Sequence, residues 1–211
     1  MNLEELLGMV AAEPVFRTGF LAAAGEGLPA LRLQLSRWAK AGKLLQLKRG
    51  LYVLAEPYRR VNPHPFVLAN EIKRASYVSL HSALWHFGLI PEHVPTVTSV
   101  TTQRPERLET PLGRFIFRHI KREWFYGCEW VELGSGQSAF VATPEKALLD
   151  LVYLTPEADT PEFFAELRLQ NIDKLDLNTL RQLSPTSKSG KLHRAVNQIE
   201  RLVEQEMGQA S

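Results

Sequence analysis

The chain has 211 residues, 45% of them hydrophobic and 23% charged, with a formal net charge of +2. That length and apolar content allow one large core or two modest ones and argue against disorder. One cysteine, Cys128, excludes an intrachain disulfide framework, and no apolar run approaches the roughly 18 residues that a membrane span needs. The N-terminal stretch carries Glu4 and Glu5 and no basic residue, unlike a secretory signal. A soluble, cytoplasmic protein with no membrane partner is expected.

From Leu3 to Ala12, Leu3, Leu6, Leu7 and Val10 recur at helical spacing, and Pro14 bounds the segment. A second helix is expected to start near Pro14, carry Val15, Phe16, Phe20 and Leu21, and end at Gly25. A third runs from about Leu28 to Ala41, with Leu31, Leu35 and Trp38 on one stripe and Gly42 just past its end. Leu44, Leu45 and Leu47 then lead into Lys48-Arg49-Gly50 and Leu51-Tyr52-Val53-Leu54, a hairpin whose turn uses Gly50 for positive φ. A helix followed by such a hairpin is the pattern of a winged helix-turn-helix.

The stretch Ala55 to Phe66 is the expected linker, because Pro57, Pro63 and Pro65 block helix and interrupt strand pairing. It divides the chain into residues 1–60 and residues 61–211. Beyond it, Tyr77 to Leu89 reads as a helix capped by Ser79, with Leu80, Leu84 and Phe87 on one face. Val94 to Thr102 reads as a strand, Pro105 to Pro111 as a turn-rich link, and Arg114 to Ile120 as a second strand with Phe115 and Phe117 inward. Trp124, Phe125, Tyr126 and Trp130 are expected in the core rather than stacked on bases. Thr143 caps a helix that opens at Pro144 and runs to Tyr153, and Glu145 and Lys146 read as helix-start chemistry rather than a catalytic pair. Further helices are expected at Pro161 to Leu169, Asn178 to Leu183 and Lys191 to Met207, after a loop at Thr186 to Gly190. The fold class is α+β: an N-terminal winged helix-turn-helix followed by a mixed α/β part with a helical tail.

Charge is unevenly spread along these elements. Residues 28–60 hold eight Lys or Arg against one acid, Glu56, whereas residues 61–154 balance at nine against nine and residues 155–211 are slightly acidic. In the third helix Arg32, Gln34, Ser36, Arg37 and Lys40 fall on outer surfaces, where such side chains reach guanine or adenine edges and phosphates. Lys48 and Arg49 are expected at the hairpin tip, and Arg59 and Arg60 close the basic segment. A solvated helix face carries similar charges. A basic hairpin beside it shifts the reading to duplex DNA. A second cationic cluster (Arg104, Arg107, Lys121, Arg122) is interleaved with Glu106, Glu109 and Glu123 and reads as a solvated sheet face.

No phosphate loop, HExxH motif, nucleophile elbow or suggestive carboxylate pair is present, so no enzymatic activity, cofactor or metal is expected. His81 and His86, five apart, do not share a helix face and are read as core or surface histidines. Glu71, Glu145 and Asp150 remain acids that a fold can bring together, which keeps a DNA-targeted nucleic-acid enzyme as an alternative.

Three segments taken in order, KRGLYVL, SYVSLHSALWHFGLIPE and TPEKALLDLVYL, resemble those of AbiEi-type antitoxins. These are the regulatory halves of bacterial abortive-infection (type IV) toxin–antitoxin pairs, related to predicted transcriptional regulators of viral defence. The resemblance covers residues 1 to 155 well and the tail loosely. It implies a winged helix that binds promoter DNA and represses its own operon. It also implies a C-terminal antitoxin domain that counters a nucleotidyltransferase-like toxin without requiring a stable complex. By position the DNA-contacting role falls on Arg32, Ser36, Arg37 and Lys40 of the helix and on Lys48 and Arg49 of the wing. A stand-alone regulator whose second domain senses a ligand uses the same N-terminal residues and stays open.

Overall fold

The computed structural model describes residues 1–23, 27–184 and 190–209, with side chains described as far as Glu206. The expected end of the second helix at Gly25 and most of the loop at Thr186 to Gly190 lie outside the described residues, as does the side chain of Met207.

α1 (Leu3–Val10) starts on a reciprocal cap, in which Asn2 accepts from the Glu5 amide and Glu5 accepts from the Asn2 amide. The chain then does not enter a helix at Pro14. It forms a two-residue strand, β1 (Phe16–Arg17), before a short α2 (Thr18–Ala22). Phe16 and Arg17 leave helical geometry because they pair antiparallel with Tyr52 and Leu51. Long-range pairing of this kind overrides local propensity. α3 (Leu28–Lys40) follows, and its C-terminal turn feeds β2 (Leu44–Lys48) and β3 (Leu51–Leu54). The sheet has the order β1-β3-β2. Gly50 turns the hairpin at φ +77°, and its carbonyl accepts from the Thr18 amide at 3.0 Å, which ties the turn to the start of α2. Leu6, Val10, Phe16, Leu21, Leu31, Leu35, Trp38, Leu44, Tyr52 and Leu54 close the core of this winged helix.

The linker is shorter than expected, since Pro65 opens a helix instead of blocking one. α4 (Pro65–Ile72) takes Pro65 in its first turn, where a missing amide costs nothing, and the His64 ring accepts from the Phe66 amide. Tyr77 and Val78 belong to a strand, β4 (Ser76–Val78), rather than to the helix expected from Tyr77, and α5 is confined to Leu80–His86. The Ser79 hydroxyl makes no cap bond because it donates to Asp150 at 2.7 Å. β5 (Thr96–Thr101) is as expected. The segment read as a turn-rich link holds a strand, β6 (Glu106–Thr110), paired antiparallel with β7 (Gly113–His119). Its charged residues suit a sheet edge, where one side of the backbone faces no partner strand. β8 (Cys128–Glu132) and β9 (Ser138–Ala142) complete a six-stranded sheet of order β6-β7-β5-β4-β9-β8. Its centre is mixed, with β5 parallel to β7 and β4 parallel to β9, and antiparallel hairpins lie at both edges. α6 (Pro144–Leu154), α7 (Pro161–Leu167), α8 (Leu177–Leu183) and α9 (Gly190–Gln209) supply the remaining layer. Leu192, Ala195, Val196, Ile199 and Val203 of α9 are buried, so that helix docks within the chain. The fold is α+β, as expected.

α6 is buried nearly all round, and two ionisable groups are buried with it. Lys146 and Asp150, four residues apart on α6, form an ion pair in which both side chains have 0% exposure. The Asp150 carboxylate also accepts from Tyr77 at 3.1 Å and from Ser79. Burial pushes the Asp150 carboxyl up, against the pull of Lys146 and of these hydrogen bonds. The rings of Tyr126, Trp124 and Tyr77 lie 5.0, 5.5 and 5.8 Å from the Lys146 ammonium. Gly127 lets the backbone pass: its φ is +70°, and a Cβ there would stand 3.0 Å from Lys146 Cγ. Asp150→Ala leaves an unpaired ammonium in the core and should cost about 3–5 kcal/mol in urea unfolding. Lys146→Met combined with Asp150→Leu removes both charges and should recover most of that loss. A double variant no more stable than Asp150→Ala would show that the pair is not the source of the penalty.

Candidate nucleic-acid interface

α3 carries no acid. Leu31, Leu35 and Trp38 face the winged-helix core, which leaves Arg32, Ser36, Arg37 and Lys40 exposed. Gln34 is only half-buried at the flank. Arg37 and Lys40 lie in the last turn, where cations complement the helix dipole. One exposed residue on this face was not anticipated. Leu33 is 55% exposed and packs in neither core. The spacing of Leu31, Leu35 and Trp38 already implies its position, since it lies across the helix from them.

The hairpin differs from expectation in one respect. Lys48 does not project freely at the tip, because its ammonium lies 3.2 and 3.3 Å from the two carboxylate oxygens of Glu106 on β6. The same carboxylate accepts from Lys73 at 2.6 Å, and the Lys73 ammonium sits 5.5 Å from the centre of the Phe117 ring. The Lys73 hydrogen bond, with Lys48 beside it, holds the Glu106 carboxyl below its ordinary range. No signal in the sequence links residues 48 and 106; only the fold brings them together. Arg49 is exposed at the turn. Arg59 is largely covered, donates to Glu56 at 2.8 Å and keeps its Nε buried without a partner, whereas Arg60 is exposed. Among the described residues Arg32, Arg37, Lys40, Arg49 and Arg60 are in no ion pair.

Polar contacts also join the two parts. The Arg17 guanidinium holds the Glu71 carboxylate at 2.9 Å and reaches the Glu71 carbonyl. Gln137 accepts from the His64 amide and donates to the Asn62 carbonyl, which fixes the linker. Beside this junction lies a cleft of about 520 Å³, lined among others by Phe20, Val67, Glu71, Arg74, Trp130 and Gln137.

The three acids that stood as possible partners are engaged separately. Glu71 pairs with Arg17, Glu145 accepts from the Asp176 amide at 3.0 Å, and Asp150 is buried with Lys146. His86 packs on Phe66 and Phe87, while His81 is exposed. Among the described residues no three His, Cys, Asp or Glu side chains are grouped to hold a metal ion. Arg104, Arg107, Lys121 and Arg122 are exposed; Lys121 pairs loosely with Glu123, and Glu106 faces Lys48 and Lys73 instead. Trp124 is buried, but Trp130 is 61% exposed and meets Phe140 edge-on, so the aromatic run is only partly core. No described helix is long and apolar enough to cross a membrane.

Residues 10–55 match the model of a protein family described as transcriptional regulator, AbiEi antitoxin. The span runs from the end of α1 through β3, so it contains α3 and the hairpin. The crystal structure of RV2827C protein from Mycobacterium tuberculosis has a similar fold, with a TM-score of 0.56 at 15% identity, over 94% of this chain and 75% of that one. No curated protein matches the chain. Over residues 10–55 the chain is therefore similar to AbiEi-type transcriptional regulators.

Two measurements check the hairpin. Lys48→Ala should weaken binding to random duplex DNA less than Arg49→Ala does, because Glu106 already engages the Lys48 ammonium. Equal losses in competitor titrations would show that Lys48 leaves Glu106 to meet phosphate. The depressed pKa of Glu106 sets a pH dependence of stability. Its contribution is present above the ordinary carboxyl value and is lost as pH falls through the lower folded value. Wild type should thus unfold at higher urea than Glu106→Gln near neutral pH, and the gap should close in acid.

Proposed function

We propose that this protein is the antitoxin of a type IV toxin–antitoxin pair and a DNA-binding repressor of its own operon. The observation that carries the reading is the acid-free, exposed, cationic face of α3, held on a three-stranded sheet within the segment matched by the AbiEi family. Such a helix fits the major groove of promoter double-stranded DNA, with Arg32, Ser36, Arg37 and Lys40 facing the duplex. Arg49 and Arg60 add phosphate contacts. The remainder of the chain would counter a nucleotidyltransferase-like toxin, in the cytoplasm and without a stable complex, as part of abortive-infection defence against viruses. We read the protein as a binding protein rather than an enzyme. The separate engagement of Glu71, Glu145 and Asp150 supports that view.

One observation favours a second reading. The cleft beside the junction is within the size range of small-molecule sites and sits between the winged helix and the second sheet, a common place for them. A regulator that senses a ligand there would show operator affinity that shifts when the ligand binds.

If Arg32, Arg37, Lys40, Arg49 and Arg60 each meet one phosphate, log K should fall with log salt at a slope near −4 to −5. A mobility-shift series on the upstream region tests this. Binding that ignores salt, or absence of binding to that region, refutes the DNA reading. Coexpression with the neighbouring gene, scored for growth rescue, tests antitoxicity separately.

A further inference from the structure

The outer face of α3 is not uniformly polar. At about 100° per residue, Leu33 points roughly 170° away from the mean direction of Leu31, Leu35 and Trp38, which places it with Lys40 on the line most directly opposed to the core. Ser36 and Arg32 lie to one side of it and Arg37 to the other, while Pro29 and Lys40 fall near the same line one turn before and two turns after. All six are exposed. A helix laid into a groove along this face presents cations at its margins and a branched apolar side chain at its centre. Single exposed leucines are ordinary on protein surfaces. Here, however, the leucine is the member of the outward line that lies in the N-terminal half of the helix, where recognition helices meet base edges. Within the major groove the one apolar group on offer is the 5-methyl of thymine.

We propose that Leu33 is a specificity-determining residue that packs against a thymine methyl on the groove floor, an inference that rests on the DNA-binding reading above. Arg32 and Arg37, at the margins, are placed for phosphates or neighbouring bases. The operator is therefore predicted to contain an A·T pair at each site where Leu33 docks, with the thymine methyl turned toward α3.

Uracil substitution is the direct probe, because it removes the methyl and keeps every hydrogen-bonding group of the base. Full-length protein is titrated on its upstream DNA with each thymine replaced singly by uracil. Wild type should lose about threefold to fivefold at one or two positions, the effect of one buried methyl. Leu33→Ala should bind more weakly and be indifferent to uracil there, whereas Leu33→Met should keep the discrimination. Thermal unfolding of both variants should match wild type, since the side chain is exposed and packs in neither core. If wild type binds every uracil duplex equally, or Leu33→Ala keeps the uracil sensitivity, the role of Leu33 is refuted and DNA binding stands. If wild type does not bind the upstream DNA at all, both fall together.

Discussion

The structure turns on one four-residue strand that is buried on both faces. Along β3, Leu51 and Val53 point into the core of the larger sheet, while Tyr52 and Leu54 point into the winged helix. The period-2 alternation of a strand puts successive side chains on opposite sides, so an unbroken apolar run is what two-sided burial requires. β2 follows the same division, with Leu44 in the smaller core and Leu47 in the larger, and its register shifts between Gln46 and Lys48. The hairpin is thus the wing of one unit and a packing element of the other. A one-residue slip would exchange the two faces, place Tyr52 where Val53 belongs and disturb both cores together.

That constraint determines how α3 is presented. The helix packs on the sheet that β3 centres, the turn of that sheet is tied to Thr18, and Lys48 is held by Glu106. Arg17–Glu71 adds a second strap from β1 to α4. The ion pairs are partly exposed, and such pairs contribute about 0–1 kcal/mol each. Buried Leu51 and Val53 each contribute more, about 1.5–3 kcal/mol relative to exposure. Apolar packing therefore fixes the join, and the ion pairs set its register and polarity. Of the polar links across the join, β6 meets the winged helix through the hairpin and α4 meets it through β1.

Much of this was legible in the sequence, and the failures share a cause. α1, α3, the hairpin, β5, β7 and the Thr143 cap of α6 are encoded locally, by periodicity, caps and glycines, and they stand where the residues place them. β1, β4 and β6 are not. Phe16–Arg17 and Ser76–Val78 are too short to show a period, and Glu106–Thr110 is too charged to resemble a strand. Each exists because a partner strand distant in sequence pairs with it. Pro65 has the look of a barrier among the neighbouring prolines, yet its position in the first turn makes it a helix opener. The run LYVL carried a signal of two-sided burial that a hairpin reading alone does not use. Lys146 and Asp150 showed their spacing on one helix, but not the strand and aromatic residues that bury them.

The same tertiary context revises the charge that first set residues 28–60 apart. Eight cations there face one acid in sequence, yet the fold withdraws two: Lys48 to Glu106 and Arg59 to Glu56. Glu106 comes from outside the segment, so a count along the chain overstates what the surface offers. Lys43 is half-buried behind the end of α3, and five exposed cations remain: Arg32, Arg37, Lys40, Arg49 and Arg60. Three of these lie on α3. The attraction for a polyanion is consequently weighted toward the helix rather than the wing. A protein anchored to duplex DNA chiefly through one helix depends on that helix for discrimination as well, because phosphate contacts position the protein but do not read sequence. On α3 the side chains with reach and exposure are few, so each must carry a larger share of the selectivity than it would in a domain with a free basic wing.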